Sequence, residues 1–143
     1  MNKITIKKLE TINELKELAM VFSRAFEQEY STTDEYLYSI IKNSSCLVLG
    51  AMEQSRVVGG LIAFEMTPIH GIKEFYIYDI AVDPIYQKQG IGKMLMLSIK
   101  DEARLRGIGT IFVEAESEDT DAVAFYRKIG GEEVLVNHFN FYI

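Results

Sequence analysis

From Phe75 to Ala115 the chain reads as strand, glycine loop, helix and strand, and no other stretch narrows the fold as far. The run Phe75-Tyr76-Ile77-Tyr78-Asp79-Ile80-Ala81-Val82 is apolar and rich in β-branched and aromatic residues, as a strand requires. Val82-Asp83-Pro84 ends it, and Gln87-Lys88-Gln89-Gly90-Ile91-Gly92 forms a loop that opens an amphipathic helix from Lys93 to about Arg106. Gly107-Ile108-Gly109 stops that helix, and Thr110 to Ala115 is expected as a buried strand. The loop has the chemistry of a phosphate cradle. Amides in a first helical turn have no internal acceptor, and the helix dipole adds roughly half a positive charge there. Glycines at 90 and 92 leave no side chain between those amides and phosphate oxygens. The loop is not a P-loop, because no Gly-Lys-Ser/Thr closes it, and it lacks the three spaced glycines of a dinucleotide fingerprint.

The rest of the chain supplies the sheet and its covering helices. Ile4 and Ile6 alternate with polar residues as a first strand. Thr11 with Glu14 makes a capping box, after which Ile12, Leu15, Leu18, Ala19, Phe22 and Phe26 form one helical stripe. Thr32 with Glu35 is expected to cap a second helix, with Tyr36, Leu37, Ile40 and Ile41 on one face. Residues 46–52 and 56–66 read as a hairpin turning at Gln54-Ser55. Gly59-Gly60 within it predicts a bulge or a close neighbour. A last helix over 120–129 stops at Gly130-Gly131, and Glu133 to Ile143 is expected to return as a strand. No linker, repeat or low-complexity segment interrupts this order, so residues 1–143 read as a single domain.

Composition excludes several classes. With 48% hydrophobic residues and two prolines, disorder is not expected. No run approaches the ~20 apolar residues of a membrane span, and Met1-Asn2-Lys3-Ile4-Thr5 does not read as a signal peptide, so a cytoplasmic location is expected. The single cysteine, Cys46, permits no internal disulfide and reads as core. His70 and His138 are far apart and no Cys/His cluster has ligand spacing, so no metal is expected. Fifteen basic against 21 acidic residues give a net charge of −6, which argues against nucleic-acid binding and is compatible with a cationic substrate. The acids crowd one segment: Glu114, Glu116, Glu118, Asp119 and Asp121.

A second motif follows at Asp119-Thr120-Asp121-Ala122-Val123-Ala124-Phe125-Tyr126-Arg127-Lys128-Ile129-Gly130. With the Gln-x-x-Gly-x-Gly loop, it resembles the acyl-CoA site of the GNAT acetyltransferases. Their last helix commonly reads Asn-x-x-Ala-x-x-x-Tyr before a basic residue and a glycine, and here Asp119 stands in the place of the asparagine. The resemblance implies the GNAT fold: a mixed α/β architecture with a twisted central sheet, helices on both faces, and middle strands that splay apart. It implies acetyl-CoA as co-substrate, bound by backbone groups of Ile80, Ala81 and Val82, by Gln87, Lys88, Gln89, Gly90, Ile91, Gly92 and Lys93, and by Asp119, Ala122, Phe125 and Tyr126. Tyr126 would serve as general acid to the leaving thiolate. Asp79, Glu114 and Glu116 are the candidates for accepting a proton or binding an ammonium.

From about Tyr30 onward the chain resembles the GNAT-type aminoglycoside 3-N-acetyltransferases. Tyr76 to Val82, Asp119 to Gly130, Glu132-Glu133-Val134, His138-Phe139 and Val57-Val58-Gly59 carry that likeness. It implies a small polycationic sugar, an aminoglycoside, as the amine acceptor, with acids such as Asp79 and Glu116 binding its ammonium groups, and the crowding of acids over 114–121 favours such a cationic small molecule. A protein N-terminal or lysine acetyltransferase, with an open peptide groove, is the alternative; a non-catalytic acyl-CoA-binding module would leave the Tyr126 phenol without a use. Phe139-Asn140-Phe141-Tyr142-Ile143 ends the chain as an apolar strand with no charge to guard it, so a homodimer built on C-terminal strands is expected.

Overall fold

A computed structural model describes residues 2–143. Its elements are β1 (Ile4–Lys8), α1 (Ile12–Phe26), α2 (Asp34–Lys42), β2 (Cys46–Glu53), β3 (Arg56–Met66), β4 (Glu74–Val82), a 3-10 turn (Pro84–Tyr86), α3 (Ile91–Arg106), β5 (Thr110–Val113) and α4 (Thr120–Lys128). The strands lie side by side in chain order. Neighbours from β1 to β4 are antiparallel, while β4 and β5, joined through α3, are parallel.

Period-two alternation along the strands feeds two apolar layers. Leu47, Leu49 and Ala51 of β2 pack with Phe75 and Ile77 of β4 against Ile91, Leu95 and Ile99 of α3. Val48 and Met52 turn the other way, under Leu15, Leu18 and Phe22 of α1 and Leu37 of α2. Gly60 is needed for that second layer, since a Cβ there would stand 2.5 Å from Leu18 of α1. The α1 capping box forms as read from Thr11 and Glu14. On α2 the capping hydroxyl is Thr33 rather than Thr32, because Thr33 accepts the Tyr36 N–H three residues on. Near the end of β3, Glu65 binds Lys73 at 2.9 Å and Arg106 at 3.1 Å, tying the end of α3 to the sheet.

Two bulges interrupt the ladders. One lies opposite Ala51/Met52, where Ala51 pairs with Gly59 and Met52 with Val57. The other matters more: Ile62 pairs with Asp79 and Ala63 with Ile77, which leaves Tyr78 as an extra residue in β4. Without it Asp79, two residues after the buried Ile77, would share the α3 face. With it Asp79 stands opposite Ile62, on the α1–α2 face.

Two expectations for the C-terminal third need correction. β5 stops at Val113, not Ala115, and its residues are half-buried or exposed rather than buried. Residues 131–143 form no strand and are exposed throughout. An isolated apolar segment becomes a strand only when a sheet edge supplies its hydrogen bonds.

Candidate active site

The pairing of β4 with β5 covers only Glu74–Ile77 against Thr110–Val113, so β4 runs on to Val82 with one edge free. On its other edge Asp83 donates its N–H to the Val58 carbonyl at 2.9 Å. Alternation along a strand then turns the N–H and C=O of Ile80 and Val82 into the gap and those of Ala81 toward β3. Of the three residues read as a backbone platform, Ile80 and Val82 therefore present the free edge. Gln87 fixes the Val82 carbonyl through its side-chain amide at 3.0 Å.

Asp83 anchors the loop that follows. It is buried, accepts the Ile85 N–H at 3.3 Å, and receives the Arg24 guanidinium of α1 at 2.9 and 2.6 Å. Its position before Pro84 signals a turn in the sequence, but its partner lies 59 residues away and no local pattern points to it.

The two loop glycines serve different ends. Gly90 adopts a left-handed φ of +83° with open space around it, and Lys88 shares that conformation at +63°. Gly92 instead admits Phe125 of α4, whose ring would lie 3.2 Å from a Cβ. The first helical bond of α3 runs from Met94 N–H to the Gly90 carbonyl, so Ile91, Gly92 and Lys93 have amides without helical acceptors. Thr11, Thr33 and Asp119 cap α1, α2 and α4, and each of those helices has an acid in its first turn. Among the described residues α3 has neither a side-chain cap nor a first-turn acid. Its end is electropositive, with Lys88 and Lys93 exposed beside it.

Across β4, a cavity of about 680 Å³ opens between α1, α2 and the sheet. Its lining includes Tyr30, Tyr36, Cys46, Phe64, Tyr78 and Asp79. Burial pushes the Asp79 carboxyl above the ordinary aspartate range. Burial also raises the Tyr30, Tyr76 and Tyr126 phenols, and the Asp79 charge adds to all three shifts. Tyr126 moves furthest, to about 12, from burial first and then from Asp119 and Asp79. The Cys46 thiol, half-buried in the same lining, is pushed up to about 11.

The remaining candidates are less central. Asp119 caps α4 by accepting the Ala122 N–H at 3.1 Å. Glu114 and Glu116 are exposed in the connection after β5, so strand alternation does not set their facing. The Glu114 charge adds to the rise of the Tyr76 phenol, and the carboxylate lies 3.4 Å from His138. The Glu116 side chain is not part of the cavity lining. Tyr30, Tyr36 and Phe64 were not legible as site residues, because their convergence depends on how α1 and α2 lie on the sheet.

Comparisons with known proteins bear on the family and the fold. The sequence matches the family model for the acetyltransferase (GNAT) family over residues 12–131. It is 34% identical over 84 residues to the ribosomal protein bS18-alanine N-acetyltransferase of Escherichia coli K12, a match covering 59% of this chain and 55% of that one. The chain thus spans about half the length of the curated relatives it matches. Among solved structures, an aminoglycoside acetyltransferase from an uncultured soil metagenomic sample, crystallised with sisomicin, superimposes with a TM-score of 0.94 at 27% identity, covering 98% of this chain and 96% of that one. A second aminoglycoside acetyltransferase of soil metagenomic origin gives a TM-score of 0.88 at 30% identity, covering 99% of both chains.

Proposed function

The chain belongs to the acetyltransferase (GNAT) family, and on that premise we propose that it moves the acetyl group of acetyl-CoA to a primary amine of a small cationic acceptor, with the aminoglycosides as the class to test first. A half-buried carboxylate, Asp79, set among Tyr30, Tyr36, Tyr78 and Phe64 in a cavity of about 680 Å³, supports this reading above all. That lining suits a cation carried on a ring-shaped body, since phenols and aromatic faces contact sugar or apolar surface while one carboxylate meets the charge. Likeness to two aminoglycoside acetyltransferases over nearly the whole chain points the same way.

The residues fit acetyl-CoA, which supplies the activated acyl carbon as a thioester. The open amides at Ile91, Gly92 and Lys93 suit its pyrophosphate, and the free edge at Ile80 and Val82 suits the amides of its pantetheine arm. Asp79 takes the first proton from the acceptor's ammonium, directly or through water, and burial makes it a better base than an exposed aspartate. The amine forms the new C–N bond as the C–S bond breaks and the sulfur leaves with the electron pair. The unpaired Val82 N–H is the donor for the carbonyl oxygen as its charge grows. Tyr126 donates its phenolic hydrogen toward the departing sulfur. Its pKa of about 12 exceeds that of a thiol, about 8.5, so the phenol hydrogen-bonds the thiolate and surrenders its proton only as the second amine proton replaces it. One proton leaves through Asp79 and the other ends on sulfur.

A second reading is favoured by the 34% identity to an enzyme named for acetylating an alanine of a ribosomal protein. A thiol-release assay with acetyl-CoA separates the two. Sisomicin, polyamines and peptides with N-terminal alanine are offered in parallel, and faster turnover of the aminoglycoside or polyamine is expected. Turnover confined to the peptides would sink the small-amine reading.

A further inference from the structure

Four aromatic rings of the sheet take no part in either apolar layer: Phe64 of β3, Tyr76 and Tyr78 of β4, and Phe112 of β5. Phe64 stands directly opposite Tyr76, and Tyr76 opposite Phe112, so these side chains share one face across three strands. It is the face away from α3, because Phe75 and Ile77, on either side of Tyr76, are fully buried against that helix. Tyr78, the extra residue of the β4 bulge, joins the row. It meets Phe64 edge-on at 6.4 Å and Tyr76 edge-on at 5.8 Å, and Tyr76 stacks on Phe112 at 4.8 Å.

The row starts inside the cavity, which Phe64 and Tyr78 line, and leaves it toward β5. Tyr78 is 63% exposed, and the other three rings are half-buried. Folding has already fixed these rings against one another, so a ligand laid on them loses little further side-chain freedom. Carboxylates lie on both sides of the row. Burial raises the Tyr76 phenol first, and the charges of Glu114, beyond β5, and of Asp79, in the cavity, add to that rise.

Resting on the small-amine reading above, we infer that Tyr78, Tyr76 and Phe112 form an outer subsite for a second, saturated ring of the acceptor. The ring that carries the reacting amine then occupies the cavity beside Asp79. A sugar ring bearing ammonium groups presents C–H faces that share their positive charge, and aromatic rings attract such faces. A linear polyamine has the charges but no face to lay down. The subsite therefore selects amines of two or more rings over linear amines.

Kinetics with sisomicin and with spermine, on the unmodified enzyme and on Tyr76→Leu, test the subsite. Loss of the aromatic ring should lower the ratio of kcat/KM for sisomicin over spermine by roughly 3–10-fold, as befits one aromatic contact, and through KM rather than kcat. Tyr76→Phe keeps the ring and should keep the ratio. An unchanged ratio in Tyr76→Leu overturns the subsite, and so does an equal fall in Tyr76→Phe. A second readout needs neither a variant nor turnover. In aromatic NMR of the unmodified protein, sisomicin should shift the ring resonances of Tyr76 and Phe112 more than spermine does. Rings that stay unmoved overturn the subsite whether or not acetyl transfer occurs. Shifted rings without turnover support the subsite and fail only the acetyl-transfer reading.

Discussion

Residues up to Ala103 and residues after it are stabilised in different ways. Among the described residues, every buried side chain lies between Leu9 and Ala103, where two apolar layers sandwich the sheet. Residues 104–143 contribute none, yet they carry Tyr126, Glu114 and the exposed apolar tail. The first part makes its framework from its own core. The second is held by half-buried apolar side chains that pack against that core (Ile108, Ile111, Val113, Phe125 and Ile129), by helix caps, and by surface ion pairs worth little individually. The acetyl-transfer reading draws on both: Asp79 and the α3 amides come from the rigid part, and Tyr126 from the lightly held one. Ligand binding should therefore protect the C-terminal third more than the core.

Substitutions test that contrast most severely at Phe75, which is fully buried between β4 and α3. Phe75→Ala should cost ~3–5 kcal/mol in urea unfolding, enough to threaten the fold. Phe141→Ala, at a side chain that is 87% exposed, should change the unfolding free energy by less than about 0.5 kcal/mol. Equal losses in the two variants would erase the distinction.

Tyr126→Phe removes a hydroxyl and no packing. It should lower kcat by roughly 10²–10⁴ while the thermal shift with acetyl-CoA stays the same; full activity would return Tyr126 to a packing role.

Arg24→Ala leaves the buried Asp83 without its charged partner. A loss of about 1–3 kcal/mol is expected, with weaker acetyl-CoA binding because Asp83 anchors the loop before α3. A purely local stability effect, with cofactor affinity intact, would separate that anchor from the site.

Asp79→Asn should cut turnover of cationic acceptors while raising the melting temperature at pH 7. Because the folded Asp79 holds its proton to higher pH than the unfolded one, its ionisation costs stability. The cost is absent below the ordinary aspartate pKa of about 3.9 and full above the raised folded value. The gain in the variant should thus shrink as pH falls toward about 4, and a constant gain across pH would assign it to packing.

Lys93→Glu is the gentlest probe. A carboxylate in the first turn of α3 should stabilise the ligand-free protein by about 0.3–1 kcal/mol and reduce the acetyl-CoA thermal shift. An undiminished shift would move the pyrophosphate away from this helix end.

Much of this arrangement was legible because its causes are local. Thr11 and Glu14 cap α1 through contacts three residues apart, Gly90 and Gly107 take left-handed conformations, and strand periodicity marks β2, β3 and β4. The open start of α3 was legible in the glycines at 90 and 92, and Ala122 and Tyr126 were picked out by the resemblance of their helix to that of the GNAT acetyltransferases. Strand pairing was harder to read. The C-terminal strand was expected from its apolar alternation, but alternation specifies only a face, and hydrogen-bonding partners must come from another edge.

What the sequence by itself determined is the order of elements, the glycine loop that opens α3 and the residue types that the proposed acetyl transfer draws on. Tertiary structure alone decided which of those residues meet. The extra residue at Tyr78 in β4 rotates Asp79 from the α3 face to the cavity, because strand facing has a period of two and one inserted residue inverts it. No composition or motif encodes that inversion, since it exists only in the register between β3 and β4. The same holds for Arg24 with Asp83, and for Phe125 against Gly92, contacts made across long stretches of chain when helices settle on a sheet.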